Sequence, residues 1–239
     1  MCGIVAVIGT RDAAPLLLEG LRQLEYRGYD SAGIATVHGG QLSHLRAEGK
    51  LINLTQRFDA SGAAGSCGIG HTRWATHGKP EERNAHPHLD GSGELAVVQN
   101  GIIENHRSLR EHLEAGGVAF QSDTDTEVIP HLVSKELNAL LAAGSSADGA
   151  TLLKAVQQTL PQLDGAYALA VVWAQCPDAL VVARRPKQGY RWRKEIPLHQ
   201  TRSARAPAGV PPPRHQGSGP RPQPRHRHHP AEARPAGPP

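Results

Sequence analysis

The second residue of the chain is a cysteine, and its position gives it an unusual chemical option. Removal of Met1, which is expected before a small residue, would leave Cys2 with both a thiol and a free α-amine. An α-amine ordinarily has a pKa of about 7.7 to 8.0, so it can act as general base for its own side chain. Cys2 is therefore a candidate nucleophile, and an ordinary buried cysteine near a chain start is the alternative.

A polar segment from His71 to Gly78 follows a strand-like run and offers groups that could recognise a substrate. Polar loops that follow strands often carry function. The planar guanidinium of Arg73 suits a carboxylate. Trp74 could shield a site, and Thr76 and His77 add polar contacts. A structural loop with a surface arginine remains the alternative.

The pair Asn100-Gly101 closes another apolar run. An asparagine amide beside a glycine N–H, where the backbone can approach a ligand closely, is a natural pair of donors to an oxyanion. The same dipeptide is also a common turn signal. Both interpretations stay open on these residues alone.

Three carboxylates, Asp123, Asp125 and Glu127, precede a helical pattern. Acidic and hydroxyl side chains there cap free N–H groups and complement the helix dipole. The functional alternative is that one carboxylate holds a substrate ammonium group.

Four histidines within eighteen residues invite a test for a metal site: His71, His77, His86 and His88. Their spacing matches no familiar zinc pattern and no cysteine joins them, so we expect neither a metal nor another cofactor.

The elements that must position these residues can be predicted from apolar periodicity. Short apolar runs predict strands at residues 3–9, 33–37, 41–45, 67–71, 95–99, 167–173 and 180–183. Helical spacing predicts helices at residues 16–24, 105–115, 126–143 and 152–160. Gly39-Gly40 predicts a hairpin between the second and third strands. Strands in groups and helices in groups indicate an α+β layered domain.

Charge divides the chain near Pro186. Residues 1–185 contain 15 Lys+Arg and 20 Asp+Glu, a balance of −5, whereas residues 186–239 contain 11 and 2, a balance of +9. The second segment holds 13 Pro but few apolar side chains, so we expect it to be a disordered Pro/Arg/His-rich tail. It lacks the interleaved aromatics of a single-strand binder, and we expect no nucleic-acid partner.

Cysteine usage and the first residues indicate the compartment. The three cysteines, Cys2, Cys67 and Cys176, have no motif spacing, which argues against a disulfide framework and fits a reducing compartment. The apolar run from Ile4 to Ile8 is too short for a signal peptide or a membrane span. We expect a cytoplasmic protein with no membrane association.

Taken in order, the motifs resemble the glutaminase half of the glutamine–fructose-6-phosphate aminotransferase (glucosamine-6-phosphate synthase) family from residue 1 to about 185. The motifs that carry the resemblance are Met1-Cys2-Gly3-Ile4-Val5, residues 24–33 (LEYRGYDSAG), residues 71–78 (HTRWATHG), residues 84–88 (NAHPH), residues 100–105 (NGIIEN) and Thr124-Asp125-Thr126-Glu127. The residues at 26–30 (YRGYD) separate this family from the phosphoribosylpyrophosphate amidotransferase and asparagine synthetase branches.

The resemblance implies an N-terminal nucleophile hydrolase fold, a four-layer αββα sandwich with the nucleophile at the start of its first strand. It implies that Cys2 attacks the amide of glutamine and that Asn100 and the Gly101 N–H stabilise the oxyanion. It also implies that Arg73 holds the α-carboxylate of glutamine and that Asp125 holds its α-ammonium. Trp74, Thr76 and His77 would belong to the loop that closes over the site, and His86 to a structural or domain-contact segment.

Two departures from the family pattern stand out. Gln99 occupies a position where the family usually carries His. The resemblance also stops at Arg185, in the middle of the domain, whereas family members continue into its last strands and two sugar-isomerase domains. We therefore expect residues 1–185 to be a glutaminase domain without its last strands, residues 186–239 to be a tail produced by a frameshift, and the isomerase domains to be absent.

By this resemblance the parent enzyme supplies ammonia from glutamine to convert fructose 6-phosphate into glucosamine 6-phosphate, and a homo-oligomer is compatible with it. The chain itself would be a glutamine-hydrolysing enzyme. The alternatives are an inert or unstable fragment, or another amidotransferase with an N-terminal cysteine, such as the phosphoribosylpyrophosphate type.

Overall fold

A computed structural model describes residues 2–75 and 78–186, together with the backbone of residues 199–202. The described residues belong to one compact unit, Met1–Ala204. Within them no helix is long and apolar enough to cross a membrane.

The first sheet is antiparallel and has the strand order β1-β4-β2-β3. Its strands are β1 (Gly3–Ile8), β2 (Ser31–His38), β3 (Gln41–Glu48) and β4 (Cys67–Arg73). Gly39 and Gly40 both have positive φ angles, +56° and +78°, and they join His38 to Gln41 across the predicted hairpin. Both positions favour glycine because a two-residue turn of this kind needs positive φ.

The second sheet is also antiparallel, with the order β5-β6-β7-β8-β9. Its strands are β5 (His88–Leu89), β6 (Leu95–Gly101), β7 (Tyr167–Trp173), β8 (Ala179–Arg185) and β9 (His199–Arg202). The helices are α1 (Ala13–Leu24), α2 (Leu51–Ser61), α3 (His106–Ala115), α4 (Val128–Ala142) and α5 (Gly149–Thr159).

Three apolar clusters define four layers. Helices α1 and α2 pack on one face of the first sheet, where Leu17 and Leu21 meet Ile34. The two sheets pack against each other through a second cluster, and the helices α3, α4 and α5 cover the outer face of the second sheet.

The alternation along β6 shows how one strand serves two interfaces. Ala96 and Val98 face the first sheet, whereas Val97 faces the helices. Successive side chains of a strand point to opposite faces, so a strand buried on both faces reads as a continuous apolar run. The predicted αββα sandwich, with α+β character, is confirmed.

The sequence did not predict α2 or β5. Only Leu51 and Leu54 are buried among the eleven residues of α2, which leaves little apolar periodicity to detect. β5 has two residues and is too short for an alternation pattern.

One segment of the tail pairs with the second sheet. Residues 199–202 form the strand β9, which pairs antiparallel with β8. An unpaired strand edge is a template for backbone hydrogen bonding, and β9 pairs with that edge of β8. The other tail residues after Pro186 lie outside the described part of the chain.

Candidate active site

Cys2 lies directly before β1 and beside the end of β4, where Gly3 is paired with Thr72. The backbone N–H of Trp74 donates to the Cys2 sulfur at 3.2 Å, and the sulfur lies 3.5 Å from the Trp74 carbonyl oxygen. The Cys2 carbonyl oxygen accepts a hydrogen bond of 3.2 Å from Nδ2 of Asn100. The half-buried thiol therefore lies where the ends of β1, β4 and β6 meet.

Glycines permit this close approach of backbones. A Cβ at Gly3 would lie 2.9 Å from both Leu24 Cβ and Thr72 Oγ1. At Gly28 it would lie 2.7 Å from the carbonyl carbon of Arg73. Neither position leaves room for a side chain. Close packing therefore explains why the motifs at residues 1–5 and 24–33 carry glycine at positions 3 and 28.

Asn100 and Gly101 end strand β6 and do not form a hairpin turn. The Asn100 side chain bridges two strands of the other sheet, because Nδ2 contacts the Cys2 carbonyl and Oδ1 lies 2.9 Å from His71 Nε2. Gly101 has a φ of +112°, and a Cβ there would lie 2.1 Å from the Ala166 carbonyl oxygen. Both the φ angle and the lack of space require glycine.

Arg73 is the last residue of β4 and is only 4% exposed. Its guanidinium donates to the carbonyl oxygens of Lys79 at 3.2 Å and Gly78 at 3.4 Å. Burial lowers the pKa of Arg73 from its ordinary value, and nearby negative charges, including Asp125, act in the opposite direction. A carboxylate ligand would compensate the buried cation further.

The three carboxylates before α4 have three different environments. Asp123 pairs with Arg83 at 2.5 Å on the surface. Asp125 is buried and accepts the backbone N–H of Ile103 at 2.8 Å. Glu127 accepts the N–H groups of Gln121 and Ser122, at 2.7 and 2.6 Å.

The pKa of Glu127 is set mainly by the groups around its carboxylate. Burial acts to raise the pKa of Glu127, but His131, whose Nε2 lies 3.8 Å away, and hydrogen bonds from Gln121 and Ser122 outweigh it and hold the value at about 2. Glu127 thus stabilises the turn that presents Asp125, as expected of the structural alternative for this segment.

A cavity of about 490 Å³ brings most of the predicted residues together. It is lined by Cys2, Arg73, Trp74, Asn100, Gly101 and Asp125. Trp74 is 46% exposed at the rim of the cavity. Its ring meets the Tyr29 ring edge to face, with centroids 5.4 Å apart. Thr76 and His77, which were predicted to belong to the same site, lie outside the described residues.

The same cavity has walls for which the sequence predicted no part in substrate binding: Arg27, His86, Gln99, Ile102, Thr124 and Thr126. Three of these belong to one contact, in which Thr126 donates to Gln99 Oε1 at 2.8 Å and lies 3.4 Å from His86 Nε2. Arg27 and Thr126 belong to the family motifs at residues 24–33 and 124–127, and this membership could have indicated that they lie at the site. Gln99 was noted only as a departure from the family.

Three histidines of the predicted cluster, His71, His86 and His88, pack on one another. His71 and His86 stack with centroids 4.1 Å apart at 14°, and His88 meets His86 edge to face at 4.7 Å. Burial lowers the pKa of His71 to about 4 and that of His88 to about 3. Among the described residues no group of three or more His, Cys, Asp or Glu side chains could hold a metal ion.

The fold and the site define the class first, the glutamine amidotransferase domains of N-terminal nucleophile type. Residues 71–189 match the family described as a glutamine amidotransferase domain. The structure resembles glutamine phosphoribosylpyrophosphate amidotransferase from B. subtilis, with a TM-score of 0.62 and 28% identity over 77% of this chain and 37% of that chain. It resembles the allosteric regulatory enzyme of purine biosynthesis similarly, with a TM-score of 0.63 and 29% identity over 79% of this chain and 38% of that chain.

Curated relatives define the family more narrowly. The chain is 58% identical over 185 residues to glutamine–fructose-6-phosphate aminotransferase (isomerizing) of Thermosynechococcus vestitus, and 53% identical over 184 residues to that of Shewanella oneidensis. Each match covers 77% of this chain and 29% of the relative. The chain belongs to the glutamine–fructose-6-phosphate aminotransferase family and carries its N-terminal glutaminase domain.

Proposed function

We propose that the chain hydrolyses the side-chain amide of glutamine, with Cys2 as nucleophile after loss of Met1. The observation that carries the proposal is the single cavity in which the Cys2 thiol, a buried arginine and a buried aspartate are found together. Glutamine presents a carboxylate and an ammonium group at one end and an amide at the other. The cavity offers a group of matching chemistry for each.

The reaction follows from these groups. The freed α-amine takes the thiol proton, the sulfur attacks the amide carbon, and the carbonyl oxygen becomes an oxyanion. Asn100 Nδ2 and the N–H of Gly101 donate to that oxyanion. The tetrahedral adduct then expels ammonia, which receives the proton from the α-amine, and leaves a γ-glutamyl thioester on Cys2. Water hydrolyses the thioester, releasing glutamate and restoring the thiol.

Substrate recognition rests on two buried charges. Arg73 binds the α-carboxylate, because a planar guanidinium suits the geometry of a carboxylate and loop carbonyls hold it in place. Asp125 binds the α-ammonium. Trp74 covers the cavity mouth from its rim, and the family resemblance assigns Thr76 and His77 a part in substrate binding. His86 supports the cavity wall and ligates no metal.

The acceptor of the ammonia is proposed from the family alone. The chain spans 29% of the length of the first relatives it matches. In the whole enzyme, which we place in the cytoplasm, the ammonia would convert fructose 6-phosphate into glucosamine 6-phosphate. The sugar would bind outside the domain at residues 1–185, so the chain alone would release ammonia and glutamate.

The proposal is tested by glutamate release from the purified full chain, with Cys2→Ala and Cys2→Ser as controls. Intact mass spectrometry on the same sample establishes whether Met1 has been removed. We expect release that requires Cys2 and is absent from molecules retaining Met1. If processed, folded protein shows no Cys2-dependent release, the inert-fragment alternative is correct and the proposal is wrong.

A further inference from the structure

We propose that His71 is a positioning residue that holds the Asn100 amide with its NH2 group turned toward Cys2. The role rests on the proposed function, since it concerns the donor to the oxyanion. Its structural basis is the contact between His71 Nε2 and Asn100 Oδ1, at 2.9 Å across the two sheets.

The orientation of the Asn100 amide follows from its other neighbour. Nδ2 lies 3.2 Å from the carbonyl oxygen of Cys2, and a carbonyl oxygen can only accept a hydrogen bond. Turning the amide over would place two oxygens against each other at that contact. The NH2 group therefore faces Cys2 and the amide oxygen faces His71, whatever assignment of the two atoms is assumed at the outset.

This orientation fixes the tautomer of His71. An amide oxygen facing Nε2 requires a donor there, so a neutral His71 carries its proton on Nε2 and none on Nδ1. Only one hydrogen of Asn100 Nδ2 is used by the Cys2 carbonyl. The second is left for a ligand atom in the cavity, which Asn100 lines.

The surroundings of His71 keep the ring neutral and immobile. His71 is fully buried on β4, and it stacks on His86 at 4.1 Å. Burial lowers the pKa of His71 to about 4, against interactions with the Asn100 side chain and the Gln99 backbone that act to raise it, and the charge of Arg73 also acts to lower it. His86 is held in turn, because its Nδ1 accepts the backbone N–H of Gln99 at 3.2 Å.

The consequence is catalytic although His71 does not reach the substrate. Removing one oxyanion donor from an enzyme typically lowers kcat by roughly 10²- to 10³-fold. An amide that lost its partner at Oδ1 would keep the donor but sample the inverted orientation, in which an oxygen faces the developing negative charge. We therefore expect a smaller loss, about 10- to 100-fold, on removal of the His71 donor.

The first experiment compares His71→Leu with His71→Gln in the processed full chain. Leucine removes the donor, whereas the amide nitrogen of glutamine can replace Nε2. We expect the leucine variant to lose about 10- to 100-fold in kcat with KM for glutamine within about twofold, and the glutamine variant to recover most of it. Equal losses in both variants, or a loss confined to KM, would overturn the proposal.

A second measurement separates positioning from a general structural role. Glutamate γ-semialdehyde adds the Cys2 thiol across its carbonyl to give a tetrahedral adduct, whereas glutamate binds without forming one. We expect His71→Leu to weaken binding of the aldehyde at least tenfold and to change glutamate binding by less than twofold. Parallel weakening of both ligands would point to a deformed cavity and against the proposal.

The tautomer can be measured without any activity. Nitrogen NMR of isotope-labelled histidine in the Cys2→Ala protein at pH 7 distinguishes a proton on Nε2 from one on Nδ1. We expect His71 to carry it on Nε2, and a proton on Nδ1 would overturn the proposal even if the chain is an active glutaminase. A chain without Cys2-dependent activity but with the expected tautomer would contradict the proposed function while preserving the inferred orientation.

Discussion

Two cysteines lie at opposite ends of the first sheet and have opposite surroundings. Cys2 precedes β1 at the end where Gly3 pairs with Thr72, and Cys67 begins β4 at the end where it pairs with Ile8. The Cys2 sulfur accepts a backbone N–H and lines a cavity. Cys67 is fully buried between the sheets, and its nearest acceptor is the Ala179 carbonyl at 3.7 Å.

The difference shows that the surroundings of the first sheet change from one end to the other. We call the end at Cys2, where the proposed site lies, the reactive end, and the end at Cys67 the packed end. At the reactive end three strands stop, and polar side chains close the space between the layers. At the packed end the apolar cluster between the sheets continues around Cys67. Residue type is the same at both ends, so the surroundings decide which thiol can do chemistry.

The largest contrast is expected from alanine replacements of the two cysteines. Cys2→Ala should reduce glutamate release by at least about 10³-fold, because no nucleophile remains. Cys67→Ala should leave release per folded molecule within about twofold and cost about 1 to 2 kcal/mol of unfolding free energy, because it leaves a small cavity. Assays of release and urea unfolding measure both effects. A comparable loss of activity in the two variants would contradict the proposal that Cys2 is the nucleophile and that Cys67 has only a packing role.

Alkylation should give the next largest contrast. Burial raises the pKa of Cys67 to about 12 and that of Cys176 to about 12, so neither forms much thiolate at pH 8. With iodoacetamide, Cys2 should react at least about 10²-fold faster than either of them. Peptide mass spectrometry over time provides the rates, and unfolding in urea should remove the difference. Rapid labelling of Cys67 in the folded protein would show that the packed end opens.

A single methyl group at the reactive end should have an intermediate effect. Gly101→Ala places a Cβ where the Ala166 carbonyl oxygen lies 2.1 Å away and also strains a φ of +112°. We expect kcat to fall by about 10²-fold, because the N–H of residue 101 moves away from the oxyanion. The matched control is Gly91→Ala, where a Cβ meets nothing within 4 Å. The comparison fails if the two substitutions cost the same activity.

Much of this architecture could be predicted from apolar patterns, and the reason is visible in β6. Its core side chains alternate between two buried faces, which gives a short apolar run that needs no long-range information. α2 escaped detection because it buries little. Residues 199–202 pair with β8, and their polar sequence has no apolar alternation from which a strand could be predicted.

The site could be predicted only in part. From residue types alone, Cys2, Arg73 and Asn100 each had a structural alternative, and the family resemblance supplied their roles. The contact of His71 with Asn100 depends on which strands of the two sheets face each other, and that of Gln99 with Thr126 depends on how the turn before α4 packs against β6. No local spacing along the chain contains that information.

Glu127 and Cys67 should limit the stability of the fold at low and high pH respectively. The folded-state pKa of Glu127, at about 2, is depressed below its ordinary value, so this carboxylate stabilises the fold above about pH 4.5. That contribution, roughly 2 to 3 kcal/mol, is lost as pH falls toward 2. The folded-state pKa of Cys67 is raised to about 12, so its contribution is present below about pH 9 and is lost as pH rises toward 12.

Urea unfolding of the full chain from pH 3 to pH 7 tests the acid limb, which is the smallest effect considered. Glu127→Gln should be less stable than the parent chain at pH 7, and the gap should narrow steadily below about pH 4.5 because the parent loses the charge that glutamine never had. Glu111→Gln is the matched control, since Glu111 is exposed on α3. A gap that stays constant down to pH 3 would show that Glu127 contributes through packing. The turn that presents Asp125 would then be stabilised by the shape of the Glu127 side chain. Its charge would make no contribution to the stability of the reactive end.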